Sequence, residues 1–437
     1  MNVGSILARN SVYRLFNIGT GFLITLFLTR LMSTEGYGIL SLLVANASFF
    51  NLLSCLGSES GIAFHSATGD IPKGRMFTII YCVILFQLVL LLITEMIHYY
   101  ITGYYWLING NSLMFLIAGI VYLLGITITD KYIALLNGHY LYSLASKIVF
   151  YSNLLSLILF MLFYFGMGKK DNLFYLQFFI LTVFVQAVLM VFAFHFSVNQ
   201  KLHFQKVNKN GARLFFSYSF IVFITNCIQF LAYRVDYWLV NYYHGKSSLG
   251  EYALAVKLNQ LFWVLPSLAA SIVFPMIASK EKRYDKKQLM SLMRMVNTSL
   301  LLAAFVAFFI APWVVPFFFG EQYRESIRPF QYLLPGFFMF GNSMMLAAWF
   351  AGKNMLYVNL IGSSICFILV LILDLWLIPL RGIKGAAIAS SIAYSISALY
   401  NIIKFTGFNI KSIVSIMLMK SGDWVTIKNF LKKYPAI

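Results

Sequence analysis

The sequence predicts an all-α polytopic membrane protein whose twelve transmembrane helices form two parallel six-helix bundles. Hydrophobic residues make up 60% of the 437 residues and charged residues only 11%, whereas a soluble domain carries about 25% charged residues. Apolar stretches of about 20 residues, long enough to cross a hydrocarbon layer as helices, recur along the whole chain. The sequence lacks the alternating segments of about 10 residues that are typical of a membrane barrel.

Twelve candidate spans follow from these stretches and from the short polar segments between them. They cover residues 12–33, 38–64, 75–101, 112–137, 142–167, 173–198, 214–243, 249–279, 291–319, 328–351, 356–379 and 384–406. We therefore expect an N-terminal bundle (1–205), a C-terminal bundle (206–409) and a cytoplasmic tail (410–437). The tail segment "WVTIKNFLKKY" is typical of a basic amphipathic helix on the membrane surface, and a frayed, solvated end is the alternative.

The distribution of Lys and Arg predicts the orientation. With the N-terminus inside, about 22 of the 33 basic residues fall in cytoplasmic segments and about 8 in external ones. This bias places both termini in the cytoplasm. The net charge of +19 then reflects orientation and attraction to anionic lipid headgroups. We expect no nucleic-acid partner, because no soluble face gathers the basic residues.

Catalytic, nucleotide and metal motifs are absent from the sequence. The four cysteines, Cys55, Cys82, Cys227 and Cys366, are isolated within spans, and their spacing suits neither a disulfide nor a metal site. No nucleophile elbow, P-loop or zinc signature occurs. We therefore expect a transporter without a metal or other cofactor, rather than an enzyme, and its driving force must come from a gradient.

A short repeat relates the two halves of the chain. "EGYGILSL" (Glu35 to Leu42) follows the first span, and "LGEYALAV" (Leu249 to Val256) follows the seventh. Six spans separate the two segments, so both halves enter the membrane in the same orientation. Parallel halves of this kind commonly place the substrate path between them.

Polar side chains lie on one face of three predicted helices when residues are placed at 100° intervals. Such faces belong against protein or a water-filled cavity, because uncompensated polar groups are unfavourable in lipid. The first helix contributes Asn10, Arg14, Asn17, Gly21 and Thr25; the seventh contributes Asn226, Gln229, Tyr233, Arg234, Asp236, Tyr237 and Asn241; the eighth contributes Lys257, Gln260, Ser267 and Ser271. We predict that these faces line one central cleft.

The polar residues suit an anionic, sugar-bearing cargo. Arg binds phosphate oxygens through a planar fork, and Lys supplies a compact charge. Amide side chains suit sugar hydroxyl groups. The predicted substrate-binding residues are Arg14, Asn17, Asn226, Gln229, Arg234, Asp236, Lys257 and Gln260. Glu59 and Asp236 are candidates for ion coupling, with either H⁺ or Na⁺.

Structural interpretations of the same residues stay open. Arg234 and Asp236 also suit a structural pair near the outer interface, and Arg14 suits a cytoplasmic anchor. "DKY" (Asp130 to Tyr132) suits a self-neutralising Asp130–Lys131 pair, Glu59 in "GSES" suits a cap or a break of the second helix, and Asp374 suits the external boundary. Pro266 predicts a kink on which the C-terminal bundle rocks.

Three blocks carry a family resemblance. "TRLMSTEGYGILSL" (Thr29 to Leu42), "YRVDYWLVNYY" with the following "LGEYALAVKLNQLFWVLPSLAASIVFPMIA", and "IPLRGIKGAAIASSIAYSISALYNI" (Ile378 to Ile402) resemble bacterial polysaccharide-export flippases of the Wzx type. This family belongs to the multidrug/oligosaccharidyl-lipid/polysaccharide (MOP) exporter superfamily.

The resemblance implies a fold, a location and a substrate. It implies a MATE-like V-shaped pair of six-helix bundles in the bacterial cytoplasmic (inner) membrane. It also implies that undecaprenyl-diphosphate-linked oligosaccharide repeat units move from the inner to the outer leaflet by alternating access, for O-antigen (lipopolysaccharide) or other surface polysaccharide synthesis. Membrane lipids, a polysaccharide polymerase and a chain-length regulator are the further candidate partners.

Two other classes of function are weighed against this one. A multidrug or small-cation antiporter of the same superfamily needs acidic residues in its cavity, whereas the first span has Arg14 and no carboxylate before Glu35. A membrane polymerase or ligase needs a large external catalytic loop, and the predicted external loops are short.

Overall fold

Long helices make up almost all of the described chain. The computed structural model of the protein describes residues 3–166, 171–198, 205–206, 209–278, 286–409, 413, 415–420 and 422–423. Within these residues no β-strand forms, and the β-type pairing consists of an isolated bridge between Tyr105 and Gly110.

Seven helices lie in the N-terminal half of the described chain. They are α1 Val3–Leu31, α2 Thr34–Cys55, α3 Ser58–Thr68, α4 Lys73–Thr102, α5 Leu113–Gly138, α6 Tyr142–Gly166 and α7 Asn172–Val198. Several ends follow capping chemistry: the Ser33 hydroxyl accepts a hydrogen bond from the backbone N–H of Gly36 at the start of α2, and Gly103 ends α4 in the left-handed conformation.

Five α-helices and two 3₁₀ segments follow. The α-helices are α8 Lys209–Gln260, α9 Val264–Ala278, α10 Lys286–Phe319, α11 Ile327–Gly352 and α12 Leu356–Thr406. The 3₁₀ segments are Leu261–Trp263, between α8 and α9, and Glu321–Ser326, before α11.

The helices account for the predicted spans. Ten are long and apolar enough to cross a membrane, and two of these, Phe223–Ser271 and Leu356–Thr406, are 49 and 51 residues long. The two long segments contain non-helical glycines, Gly245 (φ 78°) and Gly382 (φ 58°). Each segment therefore holds two of the twelve predicted spans, and the predicted all-α polytopic class is confirmed.

The chain divides into two compact units. The N-terminal unit covers Ile6–Cys227 and the C-terminal unit covers Ile228–Ile437. Each has its own apolar core: Phe77, Ile80, Leu136, Met190 and Phe194 belong to the first, and Val273, Met293, Leu346, Val358 and Ile402 to the second. The predicted bundle boundary at 205/206 stays a prediction.

The surface of α10 shows why these helices need a membrane. Leu302, Phe305 and Trp313 expose 67%, 64% and 71% of their surface. A soluble protein rarely presents large apolar side chains together in this way, whereas hydrocarbon is a suitable solvent for them. The predicted amphipathic tail helix, residues 424–434, lies outside the described residues.

Candidate functional site

Asp236 is a buried carboxylate held by two donors. The Tyr252 hydroxyl donates to its Oδ2 over 2.6 Å, and the backbone N–H of Tyr237 donates to its Oδ1 over 2.9 Å. Because Gly245 breaks α8 between Asp236 and Tyr252, the contact joins the predicted seventh and eighth spans. The side chain of Asp236, 3% exposed, is therefore fixed in position.

The predicted pairing of Arg234 with Asp236 is wrong as a direct contact. The Arg234 guanidinium lies over the ring of Tyr237, 4.6 Å from its centroid. Asp236 attracts Arg234 electrostatically, but no Arg234–Asp236 ion pair forms among the described residues. Arg234 as a whole residue is partly exposed, and its guanidinium interacts with the side chain of Tyr237.

Lys257 and Arg234 form one positive patch in the C-terminal unit. Lys257 is exposed, and the two cations lie near enough to repel one another. Within the described part of the chain neither has an ion-pair partner. Gln260, also predicted for this site, is partly buried at the end of α8, directly before the 3₁₀ turn. Because charges in an apolar segment are unfavourable unless they are compensated, two neighbouring cations favour the binding of an anion.

An aromatic cluster lies beside Gln229. The Gln229 amide donates to the Tyr233 hydroxyl over 2.7 Å. Tyr233 in turn packs against Trp263, Phe340 and Tyr394, with ring centroids 5.5, 5.5 and 6.1 Å away. These rings are mostly buried and behave as packed core.

Asp374 is a further buried carboxylate of the C-terminal unit, and its expected position at the external boundary stays a prediction. Its side chain is fully buried in α12, 0% exposed, and neither carboxylate oxygen has a hydrogen-bond partner among the described residues. Asp236 repels Asp374 electrostatically, so the two buried carboxylates lie near each other. An uncompensated carboxylate in this setting requires a proton or a cation. A single acid inside the apolar run "LILDLWL" was the signal for such a site.

The residues predicted on the first span lie in the N-terminal unit. The side chain of Asn10 lies outside the described part of the chain. Arg14 is exposed on α1. The Asn17 amide donates to the backbone carbonyl of Ser146 over 3.1 Å, which ties α1 to α6. Asn226 is exposed on α8. The prediction that these residues share one cleft with Arg234 and Lys257 stays a prediction.

Glu59 has a partner that the sequence did not indicate. The fully buried ammonium group of Lys131 donates to Glu59 Oε1 over 2.9 Å. The predicted Asp130–Lys131 pair is therefore wrong as a direct contact among the described residues, and Asp130 Oδ2 instead accepts a hydrogen bond from the Asn51 amide over 3.0 Å. The cause is helical geometry, because adjacent helical residues point in different directions.

No group of three or more His, Cys, Asp or Glu residues suited to a metal ion occurs among the described residues.

Comparison with known structures identifies the fold. The lipid II flippase MurJ in an inward closed conformation aligns with a TM-score of 0.73 and 17% identity, covering 97% of this chain and 93% of that chain. A MATE family multidrug transporter of the MOP superfamily, in an inward-facing conformation, aligns with a TM-score of 0.67 and 13% identity, covering 95% and 96%. The Vibrio cholerae MATE transporter VcmN aligns with a TM-score of 0.60 and 13% identity, covering 94% and 97%.

Sequence comparison identifies the family. No curated protein matches the chain. A family profile described as "Polysaccharide biosynthesis protein" matches residues 27–328, which is more than half of the chain. The protein therefore belongs to this polysaccharide biosynthesis family, and it has the fold of the MOP-superfamily transporters.

Proposed function

We propose that the protein is a flippase, not an enzyme, that moves undecaprenyl-diphosphate-linked oligosaccharide repeat units from the inner to the outer leaflet of the bacterial cytoplasmic membrane by alternating access. Its product would serve O-antigen or other surface polysaccharide synthesis. Family membership and the fold shared with a lipid II flippase support this proposal. Both termini lie in the cytoplasm in this proposal, and a polysaccharide polymerase and a chain-length regulator act with it.

The positive patch of Arg234 and Lys257 carries the proposal. Both cations lie in apolar transmembrane segments, repel one another and lack an ion-pair partner among the described residues. An anion that contacted both cations would offset their mutual repulsion. A diphosphate offers two phosphates to a planar guanidinium and an ammonium group. Gln229, Gln260 and Asn226 supply amide groups of the kind that suits sugar hydroxyls.

The proposed substrate contacts also include Arg14 and Asn17. Arg14 is exposed, so its guanidinium is free to meet a phosphate. The Asn17 amide nitrogen donates to the Ser146 carbonyl, and its side-chain oxygen is buried without a hydrogen-bond partner among the described residues; we propose this oxygen as the acceptor for a sugar hydroxyl.

We propose that cation coupling uses the buried carboxylates of the C-terminal unit. Asp236 is anchored by Tyr252, whereas Asp374 has no hydrogen-bond partner in the described chain. H⁺ or Na⁺ would offset their repulsion, and releasing the cation to the other side of the membrane would supply free energy for transport. Glu59 is the second proposed coupling residue.

The same carboxylates favour one alternative function. A multidrug or small-cation antiporter requires a counter-charge for its cargo, and Asp236 with Asp374 would supply it. The two functions differ in the role of the cations: Arg234 and Lys257 attract a diphosphate but oppose a cationic drug.

Charge removal tests the proposal. The double variant Arg234→Gln, Lys257→Gln keeps side-chain length and removes two charges. We expect surface glycan export to fall at least about tenfold, since a hydrogen bond to a charged group contributes about 1.5–3 kcal/mol. Export is measured as labelled surface glycan at equal membrane protein levels.

The exposed external cation Arg381 provides the matched control. Arg381→Gln should export at the wild-type rate. Wild-type export by the double variant would refute the diphosphate site, and drug resistance that increases in the double variant would favour the antiporter.

A further inference from the structure

The second predicted span is broken inside the N-terminal unit. α2 ends at Cys55 and α3 begins at Ser58, with Leu56 (φ 49°) and Gly57 (φ 73°) in the left-handed conformation between them. A left-handed leucine is unfavourable by about 1–2 kcal/mol, and Leu56 adopts this conformation as the C-cap of α2. Broken helices in membrane transporters commonly lie at binding sites.

Three charged residues meet next to this break: Glu59, Asp130 and Lys131, here called the N-terminal charge site. Lys131 is fully buried and donates to Glu59 Oε1 over 2.9 Å, while Glu59 is 36% exposed. Glu59 repels Asp130, and Lys131 attracts it. The positive charge of one lysine therefore compensates two carboxylates.

Asn51 fixes the orientation of Asp130. The side-chain oxygen of Asn51, Oδ1, accepts hydrogen bonds from Gln87 Nε2 over 2.9 Å and from Thr127 Oγ1 over 3.2 Å. Because that oxygen is occupied by donors, the amide nitrogen must face Asp130, to which it donates over 3.0 Å. Asp130 is thus held as an acceptor, with its second oxygen lacking a hydrogen-bond partner in the described chain.

Two buried oxygens provide an independent indication of a ligand. Gln87 Oε1 and Ser58 Oγ have no hydrogen-bond partner among the described residues, although their side chains are 1% and 0% exposed. Gln87 is bonded to Asn51, and Ser58 precedes Glu59 in the first turn of α3. Buried oxygens without a hydrogen-bond partner are unfavourable. Such an oxygen can accept a hydrogen bond or bind a cation.

The charge balance defines the class of ligand. Two carboxylates and one ammonium group leave one negative charge in a low-dielectric segment, which one monovalent cation neutralises. Of the other ionisable groups, the Cys55 thiol faces Glu59 and Lys131, and the Tyr122 hydroxyl faces Asp130. Both are ordinarily neutral at pH 7, so they leave this balance unchanged.

We propose that the N-terminal charge site binds one monovalent cation, H⁺ or Na⁺, at Asp130. Lys131 stays paired with Glu59, the exposed part of Glu59 gives the cation access, and Asn51 positions Asp130. This inference deepens the proposed ion coupling by naming Asp130 as the exchanging group in this unit, and it rests on that proposal for its role in transport.

The test measures cation binding without transport. Full-length protein carrying Asp374→Asn, which removes the proposed exchanging carboxylate of the C-terminal unit, is purified in detergent. Its melting temperature is followed as Na⁺ replaces choline at constant ionic strength, and separately as pH falls from 9 to 5. A bound cation stabilises the folded state in proportion to its occupancy. We expect a dose-dependent rise in one of the two series, and that series identifies the cation.

Adding Asp130→Asn to the Asp374→Asn protein should lower the apparent affinity for the cation at least about tenfold. Asparagine still accepts the hydrogen bond from Asn51, and Lys131 keeps its pair with Glu59, so we expect the fold to be retained. The exposed residue Asp171 provides the control, and Asp171→Asn should leave the response unchanged. Should Asp130→Asn fail to purify, Glu59→Gln replaces it and should also weaken the response.

Equal responses with and without Asp130→Asn, or no response in either series, would overturn the cation site. Export is then measured in Asp130→Asn cells. Lost export together with lost binding supports the coupling role, whereas normal export with lost binding overturns that role and leaves the cation site standing. The flippase proposal fails separately, on the Arg234 and Lys257 variants.

Discussion

Asp423 joins the segment after α12 to the beginning of α10. Its carboxylate accepts hydrogen bonds from Arg294 Nε over 2.6 Å and from Ser291 Oγ over 2.8 Å. The hydrogen bonds from Arg294 lower the pKa of Asp423 from 3.8 to about 2. Since the folded pKa is the lower one, this stabilisation is complete well above pH 4 and disappears as pH falls through about 2.

We expect Asp423→Asn to lower the free energy of unfolding by about 1–3 kcal/mol at pH 7, because the charged partner of Arg294 is lost. The variant should also lose the part of the acid sensitivity that arises between about pH 4 and 2. Thermal unfolding in detergent across this pH range measures both effects. Glu325, whose exposed carboxylate lies 3.7 Å from Lys384, provides the control, and Glu325→Gln should change stability very little. An unchanged melting temperature in Asp423→Asn would contradict the contact.

At the scale of single residues, the sequence predicted the type of chemistry better than the partners. It identified Arg234, Lys257, Asp236 and Glu59 as unusual, because charges inside apolar segments are unfavourable. It could not show that Lys131 reaches Glu59, a residue 72 positions away, since that contact depends on how two helices pack.

Gly245 allows α8 to turn back. Its φ of 78° and ψ of 179° lie in a region that is essentially restricted to glycine. A Cβ atom at this position would meet nothing within 4 Å. The restriction at Gly245 is therefore one of backbone conformation, not of space.

We expect Gly245→Ala to destabilise the protein by about 1–3 kcal/mol through backbone strain alone. Gly21 is the matched control, because its added Cβ would also meet nothing within 4 Å but it lies inside α1 with helical geometry. Gly21→Ala should be neutral or stabilising by up to about 1 kcal/mol. Melting temperatures of the two purified variants separate the effects, and equal shifts would show that the turn at Gly245 carries no strain.

At the scale of helices, the existence of each span and a break near Glu59 could be predicted, whereas the backbone conformation of the breaks could not. Length and apolarity decide whether a segment crosses the membrane, so all twelve predicted spans lie on helices. The break at Leu56 and Gly57 instead depends on local backbone strain. Pro266 predicted a kink in the eighth span, and the structure has a 3₁₀ turn at Leu261–Trp263, three residues earlier.

At the scale of the whole molecule, the two units differ in the ionisable residues that cluster inside them. The N-terminal charge site has two carboxylates for one lysine, whereas the C-terminal unit carries Arg234 and Lys257 beside the buried pair of Asp236 and Asp374. Composition predicted a polytopic membrane protein, and the polar faces of its helices predicted cationic residues in a cleft. The combination of a cationic patch and a buried acidic pair within one unit required the structure, because Asp374 and Asp236 are 138 positions apart in the sequence.

This combination predicts how transport responds to ion gradients. If a cation must occupy the acidic pair in each cycle, wild-type export should fall when the coupling gradient is removed, either by collapsing the proton gradient or by depleting Na⁺. Asp374→Asn neutralises the unpartnered carboxylate, so its export should be slower and less sensitive to the removal of the coupling gradient than wild-type export. Coupling free energies of 1–3 kcal/mol correspond to changes of about 5- to 150-fold, which labelled surface glycan resolves easily. Gradient-sensitive export by Asp374→Asn at the wild-type rate would show that the acidic pair does not drive transport, and the cation would then have to act at the N-terminal charge site alone.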